Sequence, residues 1–211
     1  GEERAEYTYN YRINGLDVRN TTIYHYEVGP PREEQRMTHS DTYEDRQDDI
    51  SAPDPTALLS TTYNFYDALR IERGDEIAEY THDWNTGRDT YYFYGNIEQT
   101  IGVRADTADI EDQMVRSAIS RSATFDETNL RTETYYSLTG EKGEERAWYT
   151  YNYKLDGSTV RNTTIYSYEA TGERESQRMT ESDTYKGKVL DFVTITNDHL
   201  STTYYFIDSP S

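Results

Sequence analysis

Residues 19–27 read R-N-T-T-I-Y-H-Y-E, and residues 161–169 return almost unchanged as R-N-T-T-I-Y-S-Y-E. Along this stretch Thr22, Tyr24 and Tyr26 alternate with Thr21, Ile23 and His25, so an extended chain sends the two sets to opposite faces. A period of two marks a strand, and Tyr, Thr and Ile suit a pleated, half-buried surface. The stretch therefore predicts an all-β protein built by copying a strand module.

The copying extends outward. Residues 1–43 align with 143–185 without a gap, 30 of the 43 positions being identical. The match resumes with S-T-T-Y-N-F-Y-D at 60–67 against S-T-T-Y-Y-F-I-D at 201–208. A fainter copy opens at 74–84, where G-D-E-I-A-E-Y-T-H-D-W mirrors residues 1–11, and closes with Thr134, Tyr135 and Tyr136. Three copies are expected, at 1–72, 73–142 (divergent) and 143–211, forming one continuous repeat array. The predicted architecture is a tandem-repeat antiparallel β array, solenoid-like and made of hairpin units.

Thr22, Thr62, Thr90, Thr134, Thr164 and Thr203 each open a Thr- and Tyr-rich segment, with partner strands expected at 6–13, 79–84 and 148–155. Asn14-Gly15, Thr86-Gly87 and Asp156-Gly157 stand where tight hairpin turns belong. Residues 105–120 accept a helical reading, but the alignment favours strand and loop. Residues 45–55 read as a loop, because Pro53 and Pro55 would break a ladder.

Composition says what the interior is made of. There are 22 tyrosines, the hydrophobic fraction is 34%, and the mean hydropathy is −1.02. Aliphatic burial is therefore thin, and Tyr rings must supply much of the core while their hydroxyls find partners or the surface. A structural ladder is expected from Tyr7, Tyr9, Tyr11, Tyr24, Tyr26, Tyr63, Tyr80, Tyr92, Tyr94, Tyr135, Tyr149, Tyr151, Tyr153, Tyr166, Tyr168 and Tyr204.

A formal net charge of −19 disfavours nucleic acid, whose binding needs clustered Lys and Arg. No window is apolar enough for membrane insertion by a helix. The absence of Cys removes disulfides and thiolate sites. Gly1 opens in mid-pattern, as expected of a processed product or a window of something longer. Thr134 to Tyr149 spans fifteen positions, and Thr203 through Ser211 followed by residues 1–7 of another copy spans fifteen again. The expectation is end-to-end continuation of copies, so the principal partner is the chain itself.

Chemistry is sparse. His25, His39, His82 and His199 are scattered without an i, i+4 pair, so no metal site is expected from them. No nucleophile elbow or phosphate loop occurs, and no catalytic or cofactor-binding residue is assigned. The acid-rich stretches 41–49 and 106–112 are read as turns that offer oxygen ligands to calcium, without the D-x-D-x-D-G spacing. Asn20 and Asn162 open N-glycosylation sequons at matching places.

Residues 163–180, T-T-I-Y-S-Y-E-A-T-G-E-R-E-S-Q-R-M-T, resemble the YD repeat of Rhs-type and teneurin-type proteins. There a threonine-rich strand ends in Tyr-x-Tyr-Asp before a Gly turn; here Tyr26 and Tyr168 precede Glu. The similarity is nearest to very large Tyr-rich repeat proteins of bacteria. It implies a secreted or cell-surface β scaffold, and it transfers no catalytic residue. The function expected is a structural extracellular fibre that polymerises head to tail. The alternative is an adhesin stalk or carbohydrate-binding module, with glycans as partners.

Overall fold

The computed structural model describes residues 4–12, 15–66, 74–96, 101–170 and 177–205. It contains twelve strands: β1 (Tyr7–Tyr11), β2 (Val18–Tyr26), β3 (Met37–Glu44), β4 (Leu58–Phe65), β5 (Ile77–Asp83), β6 (Arg88–Gly95), β7 (Gln113–Ser120), β8 (Leu130–Ser137), β9 (Arg146–Tyr153), β10 (Val160–Tyr168), β11 (Met179–Lys186) and β12 (His199–Tyr204). They are hydrogen-bonded neighbours in chain order within one antiparallel, open sheet. Helix is limited, among the described residues, to single 3-10 turns at Arg32–Glu34 and Pro55–Ala57. Every even-numbered strand contains one of the six threonines that open the Thr-Tyr segments. Residues 113–120, within the stretch where the alignment favours strand and loop over helix, are β7.

Two compact units are distinguished, 1–91 with 104–110, and 92–103 with 111–211. The division falls within β6, while the copy boundary at 72–73 lies outside the described residues.

In the first unit the alternation on β2 sorts side chains into two faces. On one, Ile23, Asp41, Thr61, His82 and Asp89 stand opposite one another in succession from β2 to β6, beside a second row of His25, His39, Tyr63, Tyr80 and Tyr91. On the other, Thr8, Thr22, Thr42 and Ser60 form a row next to Ser40, Thr62, Thr81 and Thr90. We call these the ring face and the hydroxyl face. Hydroxyls meet across strands, Thr62 and Thr81 at 2.8 Å and Thr22 and Thr42 at 3.4 Å. Each such pair contributes roughly 0.2–1 kcal/mol relative to Ala–Ala.

The ring face is covered in part by the β3–β4 connection. Thr21, fully buried, donates from Oγ1 to the Asp45 carbonyl at 2.8 Å and accepts from the Gln47 amide at 3.0 Å. The Tyr9 hydroxyl donates to the Gln47 carbonyl at 3.1 Å. In the second unit Thr163, also fully buried, donates to the Gly187 carbonyl at 2.8 Å and accepts from the Val189 amide at 3.1 Å, while the Tyr151 hydroxyl donates to the Val189 carbonyl at 2.9 Å. The second Thr-Tyr segment thus holds its own loop by the same bonds as the first. Asp45 and Gly187 both carry positive φ, 54° and 73°, a conformation that Asp and Gly tolerate better than most residues.

The Glu that follows Tyr-x-Tyr also has a local cause. Glu27 and Glu169 each accept the amide of an Arg, Arg36 at 3.0 Å and Arg178 at 2.8 Å, and so close the next turn. A carboxylate also braces the chain just before β5 and β9. Glu76 accepts the amides of Met37 and Gly74, both at 3.0 Å, and Glu145 those of Met114 at 3.1 Å and Gly143 at 3.0 Å.

Two sequence readings are corrected. The Asn-Gly and Asp-Gly turns are not two-residue turns, and Asn14 itself lies outside the described residues. Arg12 pairs with Asp17 and Lys154 with Thr159, leaving four residues between them, and the Gly amide closes back onto residue 12 or 154. The glycine stands where the loop needs positive φ on its way out, at 67° and 73°, rather than at its centre. The stretch 41–49 is not a turn throughout, because 41–44 belongs to β3 and Asp41 is engaged on the ring face.

Candidate functional site

The ring face of the first unit concentrates the titratable and aromatic groups. Pairing of β2 with β3 places His25 opposite His39, and their imidazoles stack with centroids 4.2 Å apart and planes 6° apart. The row continues from His39 to Tyr63 at 5.9 Å, Tyr63 to Tyr80 at 4.7 Å and Tyr80 to Tyr91 at 5.6 Å. Five strands therefore contribute one ring each to a single stack. Of the tyrosines expected in a ladder, Tyr63 and Tyr80 lie in this row. Tyr92, expected there, lies on the hydroxyl face, because Tyr91 is the residue opposite Tyr80. Tyr24 is also on the hydroxyl face, with its hydroxyl 3.2 Å from Thr8 Oγ1. The rings thus occupy both faces, not one.

Asp41 lies two residues from His39 on the same face. Its Oδ1 accepts from Thr61 Oγ1 at 2.6 Å, and its Oδ2 is 3.1 Å from His25 Nε2. A nitrogen from each imidazole and an oxygen of Asp41 lie within 4.8 Å of one another. His25 Nε2 is buried and makes no hydrogen bond, since its approach to Asp41 lacks the required direction. Burial lowers the His39 pKa, the neighbouring His25 lowers it further, and Asp41 opposes both. Tyr43 is pushed up by burial and by Asp41.

Scattered positions in sequence hid this cluster: His25 and His39 are not near neighbours along the chain, and only the β2–β3 register sets them face to face. The signal available was the antiparallel pairing across the Glu27–Arg36 turn, once both flanking segments are read as strands. The other histidines also find carboxylates, His82 Nδ1 at 2.7 Å from Asp89 and His199 Nε2 at 3.2 Å from Asp183.

The corresponding face of the second unit holds a different set. Arg116, with its side chain 3% exposed, donates to Glu127 at 2.7 and 3.2 Å and to Glu133 at 2.7 Å, and its guanidinium lies 3.9 Å from the Phe93 ring centre. Glu133, 5% exposed, also accepts from the Tyr153 hydroxyl. Tyr135 stacks on Tyr149 at 4.8 Å, and Phe192 of the β11–β12 connection closes over Tyr149 at 4.5 Å. Burial, and then the Glu133 charge, push the Tyr135 hydroxyl up to about 12.

The remaining expected positions are dispersed. Asn20 and Asn162 sit inside strands paired on both sides, not in loops. Tyr7, Tyr11 and Tyr204 are exposed on β1 and β12, the first and last strands of the order. Tyr94 is buried, Tyr26 and Tyr168 donate to the carbonyls of Ala5 and Ala147, and Tyr166 lies 3.0 Å from Thr150 Oγ1. No protein-family model matches this sequence, and no curated protein is significantly similar to it.

Proposed function

We propose that this is a structural protein of the cell surface or extracellular space, built as a tandem array and lengthening by strand pairing between the β12 edge of one copy and the β1 edge of the next. The observation that carries this reading is the recurrence of one strand junction. Thr62, Tyr63 and Asn64 oppose Thr81, Tyr80 and Ala78, and Thr134, Tyr135 and Tyr136 oppose Thr150, Tyr149 and Ala147, with a bulge at the same place in both. The same residue types stand ready on the outer strands. Thr203, Tyr204 and Tyr205 would oppose Thr8, Tyr7 and Ala5 of the next copy.

The edges themselves support it. Protected sheet edges carry Lys, Pro or inward charge, whereas β1 is Y-T-Y-N-Y and β12 is H-L-S-T-T-Y, with none of these. Both ends bear exposed apolar surface, Tyr7 and Tyr11 on one, Leu200 and Tyr204 on the other. The contact is heterologous, and such a contact generates a filament when its rotation does not close. The likeness to YD repeats points to the same kind of scaffold.

Chains of net charge −19 repel one another, so assembly should strengthen as salt rises to physiological strength, where charges more than about 8 Å apart are largely screened. The chain has no native Cys to confuse a cross-link. Mixing Tyr204→Cys with Tyr7→Cys protein under mild oxidation is expected to give the heterodimeric disulfide, and electron micrographs of wild type to show rods of uniform width. A monomer at every concentration and salt, with no cross-link, overturns the reading. Discrete particles retained on a polysaccharide column would favour the carbohydrate-binding alternative. That alternative draws on Trp148, 46% exposed.

A further inference from the structure

We propose that His25, His39 and Asp41 form a binding site for a first-row divalent cation of the zinc type, held between β2 and β3. The inference stands apart from self-assembly and rests on the orientation of three donors. Thr38 Oγ1 lies 3.2 Å from the His25 carbonyl, to which it can donate, and 2.9 Å from His39 Nδ1, where the imidazole tautomer sets which atom donates. The tautomer with the proton on Nδ1, donated to Thr38, leaves His39 Nε2 as a lone pair, the arrangement that a second partner imposes on metal-binding imidazoles. Asp41 is steadied in the same way, since Thr61 occupies Oδ1 and leaves Oδ2 toward His25. The third donor, His25 Nε2, is buried and unsatisfied within the protein.

The spacing suits a small cation. Tetrahedral zinc with bonds of about 2.0–2.2 Å sets its ligand atoms about 3.3 Å apart. The His25 to Asp41 separation of 3.1 Å already meets this. Bringing donors within 4.8 Å onto one ion requires the stacked imidazoles to fan at one edge, and the His25 side chain is 39% exposed. Two imidazoles and one carboxylate favour a borderline cation over calcium or magnesium, which take oxygen ligands. A water would complete the fourth position.

An internal control comes from the counterpart of these strands in the 143–211 copy. β10 and β11 pair in the register of β2 and β3, yet carry Ser167, Glu181 and Asp183 in place of His25, His39 and Asp41. The strand pair thus forms without either imidazole, and both appear together where they face each other.

The test is titration of the full chain with Zn2+, alongside Ca2+ and Co2+. One zinc per chain is expected to bind more tightly than the acidic surface does. Both His25→Ser and His39→Gln should weaken it by at least about 100-fold, beyond the 10–100-fold typical of lost supporting contacts. Calcium affinity should not change between wild type and variants, and the cobalt complex of the wild type should show the visible absorption of a four-coordinate site with nitrogen ligands. Circular dichroism checks that the variants fold, and the wild-type cobalt spectrum decides the matter even if they do not. Zinc affinity equal in wild type and His25→Ser, or a six-coordinate, all-oxygen cobalt spectrum, overturns the proposal.

Discussion

The ring faces of the two units solve one packing problem with different chemistry. At the place where β3 carries His39 opposite Tyr63, β7 carries Arg116 opposite Tyr135; where Asp41 opposes Thr61, Ala118 opposes Glu133. The first unit sets half-buried histidines beside aspartates, next to an unbroken row of rings. In the second, the cation and its carboxylate are buried together under Phe93, and loop residues such as Phe192 close over the tyrosines. The same backbone registers accept both. Strand pairing is thus set by the alternating Thr and Tyr positions, and the residues between them are free to diverge toward either stability or binding.

The largest effect that would sharpen this contrast lies at Arg116. Replacing it by Met leaves Glu133 buried without its cation, which should cost about 3–5 kcal/mol in urea unfolding, whereas His39→Gln at the matching position should stay within about 1 kcal/mol. Equal costs would erase the distinction between a buried ion pair and a half-buried imidazole. Next come two glycines that share a place in sequence and a positive φ. A Cβ on Gly157 would fall 2.5 Å from Asn129 Cα, while one on Gly15 meets nothing within 4 Å. Gly157→Ala should cost about 2–4 kcal/mol and Gly15→Ala about 1 kcal/mol, the first combining backbone strain with a clash and the second strain alone.

The smallest effect appears only in alkali. Tyr135 ionises at about 12 in the fold and near 10 when unfolded, so the folded state binds the extra proton between these values. Its contribution to stability is complete below pH 10 and is lost as pH rises through 12. Tyr149 and Tyr153 are also raised, chiefly by burial. Ultraviolet titration should find a class of tyrosines that ionise late, and normal titration of every tyrosine would contradict the burial assigned to the second unit.

Much of the backbone was legible in the amino acids. The alternation through residues 19–27 located β2 and its two faces, and the duplicated segment located β10 in the same way. Thr-Tyr segments marked each even-numbered strand, and Gly15 and Gly157 marked turns. The loop geometry was less legible, because an Asn-Gly pair does not reveal whether its glycine stands in the middle of a turn or at its exit. The ladder was half legible. A count of tyrosines cannot say that Tyr91 rather than Tyr92 continues the stack, nor that His25 and His39 take ring positions, since that depends on which strand residue stands opposite which.

Sequence by itself determined the strand character, the acidic surface and the choice of Thr and Tyr as the repeating contacts, because these follow from local periodicity and composition. Tertiary structure alone decided that His25, His39 and Asp41 share one small volume, that Thr21 and Thr163 clamp loops, and that Arg116 is sealed beneath an aromatic ring. The reason is physical: a period of two assigns each side chain a face, but the register of hydrogen bonds between strands, adjusted by bulges, chooses its neighbours.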